Sequence, residues 1–564
     1  MNKRKSLRLD PITIEIMHNA FRSVADETFI TLMKSAYSTN IKERRDHSTA
    51  IMDTEGRLIV QADASLPIHL ASMGGLMEAL LNKFRGQIKP GDIFIANDPH
   101  VAGGTHLPDI NMAMPVFVDD ILVAFMCNIA HHADIGGAVP GSMAGGMTEI
   151  YQEGLRIPVI RLFHKYELQD DILDLILLNV RVPDERRGDY FAQVAACRLG
   201  VTRIKEIIKQ YGVPAIKSCF DEIISRTSHR MNKVIRDLPD GSYKFEDIMD
   251  DDGMGTFEIP ISIKIMVNGN KICFDFTGTS DQVRGNINVT RNATQASVCY
   301  ALKALLDPDA PNNQGMLDLP EIIIERGSLL DANFPAPVAA RANTCQRIID
   351  VIIGALSKAK PEAAVAAANG ANTTAVFSGI DPKSGESYVY LETLGGGFGG
   401  RAKKDGKDGV QVHITNTSNL PVESIEMEYP LIVHSYKLIN SSGGAGRYRG
   451  GLGLERIIQP INHSCIFNGA GERFSHKPWG IFGGSQGSSG EFLKRDCNGN
   501  PERLPNKPIS VNISEKEAVI IRTPGAGGYG RAEERSKEDL TEDANSDKFS
   551  NEFLNQNYPQ WSLN

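Results

Sequence analysis

Between residues 238 and 241 the sequence changes its period. Residues 171–237 repeat apolar side chains at the three- and four-residue spacing of helices, with few glycines, which predicts two or three helices there. Beyond Pro239-Asp240-Gly241, the runs YKFEDIMDDDG, EIPISIKIMV and ICFDFTG alternate apolar and polar residues as antiparallel strands do. Asn268-Gly269, between two of those runs, predicts a type I′ hairpin turn. A chain bound to both periods can be neither an all-helical bundle nor a pure β-sandwich. No fixed-period repeat is visible, so a solenoid or propeller has no support.

The rest of the sequence extends the mixture. From Pro11 to about residue 38, apolar positions from Ile12 to Met33 recur at helical spacing behind an Asp10-Pro11 start. Between 48 and 130, the runs 50–52, 57–60, 92–96, 114–118 and 121–130 read as strands and 70–84 as a helix. Further helices are predicted at 291–306 and 346–356, followed by a Gly-rich, strand-rich stretch from about 375 to 525. At about 150 residues per domain, 564 residues call for several lobes. The expected fold is α+β and multi-lobed: an α/β N-terminal lobe at 1–165, a helical segment at 166–238, an α/β middle with antiparallel sheet at 239–375, and a β-rich C-terminal lobe at 376–530. The charged residues 531–564 predict a surface helix and a loose tail without chemistry.

Sixty Lys and Arg against 69 Asp and Glu leave a net charge of −9, so no cationic excess is present to neutralise nucleic-acid phosphates. Eight cysteines are scattered without a CxxC pair, as reduced thiols and not as a zinc ribbon. The basic N-terminus lacks an apolar secretion core, and no run approaches the ~20 apolar residues of a membrane span. These features predict a cytoplasmic protein.

Six of the thirteen histidines fall between residues 47 and 132: His47, His69, His100, His106, His131 and His132. Two clusters pair imidazole with carboxylate: Gly103-Gly-Thr-His106-Leu-Pro-Asp109, and His131-His132-Ala-Asp134 directly after the apolar run 121–130. The second sits where a buried strand ends, and α/β sheets present ligands at strand carboxyl ends. His and Asp donors without Cys favour Zn²⁺, Mn²⁺ or Fe²⁺, and an incomplete protein shell leaves a position for water. A single HxxD is also what a capped turn or a surface ion pair looks like. The segment Ile41-Lys-Glu-Arg-Arg-Asp46-His47 reads equally as a solvated charge run, and His69 as a core histidine bonded to a carbonyl.

Glycine-rich segments add less. Gly395-Gly-Gly-Phe-Gly-Gly400 satisfies GxGxxG after a strand-like run, but Arg401-Ala-Lys-Lys follows where a dinucleotide site needs a helix. No G-x-x-x-x-G-K-[ST] occurs, so any nucleotide would be bound by a partner. Arg447 and Arg449 lie in one glycine run, 441–453, which forms either turns or a loop approaching an anion.

The motifs KERRDHS (42–48), LPIHLASMGG (66–75), NDPHVAGGTHLPD (97–109), HHADIGG (131–137), GGGFGGR (395–401), PVESIEMEYP (421–430), GGAGRYRGGLG (443–453) and GAGGYG (525–530) carry a resemblance spanning nearly the whole chain. The sequence resembles the hydantoinase B/oxoprolinase family, whose members serve as the B-type chains of ATP-dependent hydantoinases. The resemblance implies an A-type partner that uses ATP and Mg to phosphorylate a carbonyl or amide oxygen, in a heterotetramer or larger assembly. It implies a divalent transition metal (Zn or Mn, or Fe) on this chain, in the N-terminal lobe, held by Asp46, His106, Asp109 and His131. Glu43 is the competitor for Asp46. His132 and Asp134 become proton-transfer groups; His69 and His100 face substrate. The family contains hydrolases of cyclic amides and longer ketone carboxylases; the length of this chain favours amide hydrolysis, with a carboxylase or a non-catalytic scaffold as the alternatives.

Overall fold

The computed structural model describes residues 9–561; the basic run at 1–8, read above against secretion, lies outside them. Among the described residues there are twelve α-helices and four sheets. None of the helices is long and apolar enough to cross a membrane.

The helix Pro11–Ser35 starts where the sequence predicts. Asp10 caps it by accepting from the amides of Ile12 and Thr13, each at 3.0 Å, and Met17, Phe21, Val24 and Leu32 are buried. It packs on the helix Pro183–Tyr211 and on a seven-stranded sheet. That sheet comprises β1 (His47–Asp53), β2 (Leu58–Gln61), β3 (Ile93–Ala96), β4 (Asp109–Val118), β5 (Ile121–His131), β6 (Ile160–His164) and β7 (Glu167–Leu168), in the order β2-β1-β5-β4-β3-β6-β7. Every pairing in it is antiparallel. His131 ends a buried strand, as expected, but that strand runs antiparallel to both neighbours without the alternation that marks such strands.

The reason lies in burial. Ile51, Ile110, Met112 and Met126 pack against the helices Pro11–Ser35 and Pro183–Tyr211 on one face. Ala50, Met52, Phe125 and Cys127 pack against the helix Ser72–Phe84 on the other. Strands covered on both faces lose the apolar–polar alternation that marks antiparallel sheets.

Residues 170–236 form three helices, Asp170–Leu178, Pro183–Tyr211 and Val213–Arg236. A second sheet, β11-β10-β9-β8, joins β8 (Gly241–Asp251), β9 (Phe257–Asn268), β10 (Lys271–Asp275) and β11 (Glu321–Ile323). The predicted hairpin is there, one residue later: Asn268 pairs with Lys271, leaving Gly269-Asn270 as the turn. Gly269 alone of the two has a positive φ (60°), the pattern of type II′ and not the expected I′. Helix Arg341–Leu356 packs on β8 and β9 and is buried at all sixteen positions, and helix Arg291–Leu306 packs against it.

Two further sheets fill the C-terminal part around Phe377, Tyr390, Phe467 and Phe492. Between them the glycine runs pack backbone on backbone. A Cβ on Gly450 would stand 1.9 Å from the Ala526 carbonyl oxygen, and one on Gly451 1.8 Å from that of Lys407, so no other residue fits. The GxGxxG run is followed by an irregular loop, and Arg449 is buried against Asp408 (2.8 Å) and Asp543 (3.0 Å), which makes its run a structural turn. Residues 531–561 are not a loose tail. Helices Lys537–Asn545 and Asn551–Asn557 bury Leu540, Phe549, Leu554 and Tyr558 against Ala445 and Leu452, and Arg535 pairs with Asp405 and Asp543.

Candidate metal centre

Antiparallel pairing builds the centre. Where two such strands meet, one starts where the other ends, and Asp109, first in β4, lies directly opposite His131, last in β5. Paired residues project to the same face. The ladder is extended by the His132 amide donating to the Pro108 carbonyl (2.9 Å), and the turn before it brings His106 over Asp109. His69 arrives from a 3₁₀ turn, Pro67–His69.

His106, Asp109 and His131 offer ligand atoms that all lie within 4.8 Å of one another, in a buried setting. His106 Nε2 is 3.1 Å and His69 Nε2 3.6 Å from Asp109 Oδ1. His69 Nε2, His106 Nε2, Asp109 Oδ1 and His131 Nδ1 are buried without a hydrogen-bond partner. Three of these atoms, on His106, Asp109 and His131, converge, with His69 Nε2 beside Asp109, and such a buried grouping is costly unless something fills it.

The opposite end of each group is held. His106 Nδ1 lies 3.0 Å from the Ala339 carbonyl; a carbonyl only accepts, so that nitrogen carries the proton and Nε2 is a bare lone pair. His131 Nε2 lies 3.3 Å from Met143 Sδ, an acceptor, which leaves Nδ1 bare in the same way. His69 Nδ1 meets Ser48 Oγ at 2.8 Å. Asp109 Oδ2 accepts from Thr105 Oγ1 (2.7 Å) and from the Arg341 guanidinium (2.8 Å).

Protonation follows suit. Burial, with Arg341 adding to it, pushes the His106 imidazole down to about 4, and burial and His106 hold His131 well below its usual range. Burial works against an ionised Asp109, but His106 when it carries a proton, and Arg341 throughout, outweigh it and keep the carboxyl well below the ordinary carboxylate value. Two neutral imidazoles and one carboxylate are the states in which these groups bind metal. The donor set, the bare lone pairs and the held far sides all fit a divalent ion.

The other residues named from the sequence divide. Asp46 is buried beside the group and its backbone carbonyl accepts from the His131 amide (2.9 Å). Its carboxylate faces Arg44 at 3.7 Å and is not among the converging atoms; burial pushes that carboxyl up in spite of Arg44. Glu43 is half-buried at the end of the short helix Thr39–Lys42. His132, one residue past His131, faces the other side of the sheet, where Nε2 meets Gln193 Oε1 at 3.0 Å and its ring lies 4.5 Å from that of Tyr190. Asp134 accepts from the amides of Gly136, Gly141 and Arg181 and from the Arg181 guanidinium, which ties down its loop and leaves no lone pair for proton transfer. Neither joins the group. His47 stacks on Phe29 with Nε2 on its carbonyl, and His100 bonds the Ala336 carbonyl at 3.0 Å in a separate cleft.

Sequence reasoning missed Arg341, Thr105, Ser48 and Glu153. Glu153 Oε1 accepts from the Ala339 amide (2.7 Å), clamping the segment that supports both His106 and Asp109. A signal for Arg341 was present: Arg341, Asn343, Thr344, Gln346, Arg347 and Asp350 spread polar groups around an otherwise apolar helix.

The sequence model of hydantoinase B/oxoprolinase matches residues 10–532. The chain belongs to this family. It is 38% identical over 532 residues to an uncharacterised protein of Methanocaldococcus jannaschii, covering 93% of this chain and 92% of that one. With the B component of a putative D-/L-hydantoinase of Pseudomonas sp. (strain NS671) it shares 30% over 94% and 92% of the two chains. It spans only 42% of a longer relative, 5-oxoprolinase 1 of Arabidopsis thaliana. The crystal structure of an ATP-dependent caprolactamase from Pseudomonas jessenii superimposes with a TM-score of 0.92 at 27% identity, over 97% and 96% of the chains. Nucleotide-free acetone carboxylase shares the fold at a TM-score of 0.90 and 18% identity, over 97% and 79%.

Proposed function

We propose that the chain is the metal-dependent B-type component of an ATP-dependent cyclic-amide hydrolase, working with an ATP-binding A-type chain. The observation that carries this reading is the convergence of bare, buried His and Asp ligand atoms in a member of this family. A cyclic amide resists water because its carbonyl is resonance-stabilised. Phosphorylation of that oxygen by the partner creates an electrophilic carbon and a leaving group, and this chain completes the ring opening.

His106, Asp109 and His131 would hold the ion, Zn or Mn or Fe, and Asp46, buried beside them, would supply the fourth ligand once its carboxylate turns from Arg44. A bound divalent ion supplies Lewis-acid chemistry, polarising oxygen and activating water. Arg341 and Thr105 occupy Asp109 Oδ2 and so aim Oδ1 inward; the Ala339 carbonyl keeps the His106 proton on Nδ1. His69, whose Nε2 is buried without a partner 3.6 Å from Asp109 Oδ1, takes the proton of the attacking water in place of His132 and Asp134. The setting is cytoplasmic, where ATP is available.

The test combines the purified chain, an A-type partner, ATP and a panel of hydantoin, 5-oxoproline and lactams. About one ion per chain, ring opening coupled to ATP cleavage, and loss of both in His106→Ala and Asp109→Ala are expected. An ion-free chain after repletion, or normal turnover in those variants, overturns the reading. The fold shared with acetone carboxylase supports one rival, an ATP-dependent ketone carboxylase; turnover that requires bicarbonate would select it.

A further inference from the structure

We propose that the cleft between residues 398–401, 407–411 and 416–419 is a binding site for a phosphate group, gripped by Arg401, Lys407 and Thr417. The cleft encloses about 480 Å³, and none of its lining residues is acidic. Two of them are cations, Arg401 and Lys407, and neither has a carboxylate partner among the described residues. The nearby acids are spent elsewhere: Asp405 pairs with Arg535 at 2.7 Å and Asp408 with Arg449 at 2.8 Å. Arg401 gives one nitrogen to the Asp405 carbonyl, while its Nε is buried and unpartnered. The Thr417 hydroxyl lines the same cleft, 7% exposed at the residue and likewise without a partner.

Lys407 is exposed at the mouth and Arg401 half-buried, but Arg401 Nε and the Thr417 hydroxyl are buried donors without partners, which cost free energy unless an acceptor meets them. Two cations match a dianion, and a guanidinium, an ammonium and a hydroxyl together suit the several acceptor oxygens of phosphate better than a monoanionic carboxylate. The volume exceeds what one oxyanion fills, leaving room for an attached small molecule.

The glycine motif thereby gains a role that does not need the missing helix. Gly397 and Gly400 seat against backbone, since a Cβ on them would stand 2.2 Å from the Gly451 oxygen and 2.6 Å from that of Tyr448. That packing delivers Arg401 to the cleft at the end of the run. The far wall touches the metal-bearing region: the Ser418 amide donates to the Arg44 carbonyl (2.9 Å), and the Ile68 amide, beside His69, to the Ile414 carbonyl (3.2 Å). The phosphate is either free or carried by a nucleotide.

Calorimetric titration of the purified full chain with orthophosphate, ADP and acetate, in separate runs, tests the proposal. Saturable phosphate binding is expected, about tenfold weaker in Arg401→Gln and in Lys407→Gln, weaker in Thr417→Val, and lost in the double Arg401→Gln/Lys407→Gln variant. Stronger binding of ADP than of orthophosphate identifies a nucleotide as the source; equal or weaker binding identifies the free ion. Absence of saturable binding, acetate binding as well as phosphate, or an unaffected double variant overturns the proposal. Thermal midpoint and bound metal, measured on the same samples, should match wild type. Metal loss without any change in phosphate binding would count against the hydrolase reading alone.

Discussion

Two buried clusters of charge sit in this molecule, and they are built on opposite terms. Around Asp247 and Asp350, every acid has its donors: Arg473 bonds both carboxylates at 2.6 and 2.8 Å, and Trp479 Nε1 reaches Asp247 at 3.0 Å. Glu472 takes Lys507 at 2.9 Å, and Asp250 takes the amides of Phe474, Ser475 and His476. Around Asp109, the supports are as dense on the outer side, yet the inner atoms of His69, His106, His131 and Asp109 are bare. Unpartnered atoms also occur in the first cluster, on guanidinium nitrogens whose neighbouring nitrogens are engaged and on His413 Nε2, 3.3 Å from Asp350 Oδ1. There they are scattered; around Asp109 they converge. The first cluster staples β8, the helix Arg341–Leu356 and the segment 471–479 together, whereas the second is held ready for something absent from the chain itself.

The largest effect expected on this contrast is chemical. His106→Gln keeps most of the volume and removes a ligand, so bound metal should vanish and turnover fall by roughly a thousandfold or more, in keeping with the loss of a catalytic ion. The metal-free stability should move by no more than about 1 kcal/mol, because the imidazole is neutral in the fold. Elemental analysis and denaturant unfolding of the stripped protein read both. A variant that kept its ion would erase the distinction between the clusters.

Arg473→Met should do the reverse. It strands Asp247 and Asp350 without their shared cation, and breaking a buried pair costs about 3–5 kcal/mol. Metal content should be unchanged. Loss of the ion together with stability would show that the clusters are one cooperative unit.

Glu153 sharpens the comparison through pH. Burial pushes its carboxyl from 4.5 up to about 8, so the folded chain holds a proton that the unfolded chain has released. Below pH 4.5 both states are protonated and the group is neutral in its effect. From there to about pH 8 the wild type loses stability, on the order of 1 kcal/mol per pH unit, and above that the loss is complete. Glu153→Gln keeps the acceptor for the Ala339 amide without the titration. Its stability should diverge upward from wild type across that window in paired unfolding curves at pH 5, 6.5 and 8. Parallel curves would mean that Glu153 is ionised in the fold.

How much of this could be read from the sequence depends on how local each feature is. The helix Arg291–Leu306 lies where its periodicity places it, because a helical face is written in residues three and four apart. His106, Asp109 and His131 were legible because a tight turn and one strand pairing join them. His132 and Asp134 were misplaced for want of orientation: neighbours in an extended segment point to opposite faces, and a carboxylate beside glycines can serve its own loop. Arg341 lies 232 residues from the carboxylate it holds, and Glu153 is 186 residues from Ala339. No spacing rule spans such distances. The hairpin at Gly269 was found and its register missed by one, since the turn type depends on which residue leaves the ladder first.

The smallest expected effect decides what His69 does within the second cluster. Ser48 Oγ meets His69 Nδ1 at 2.8 Å and also accepts from the Leu66 amide at 3.0 Å, in a fully buried position. Ser48→Ala leaves both groups unpaired, at a cost of about 1 kcal/mol in stability. If His69 moves the proton, its freed ring should lower kcat by about tenfold, leave KM and bound metal as they were, and shift the acid limb of the pH–rate profile. If His69 is instead a ligand, losing the group that orients it should weaken metal affinity by about ten- to a hundredfold, and activity should return when the ion is supplied in excess. Metal titration of the variant, beside its pH–rate profile, separates a histidine that works on water from one that completes a closed shell. In the second case the two clusters would differ only in what saturates them, protein in one and metal in the other.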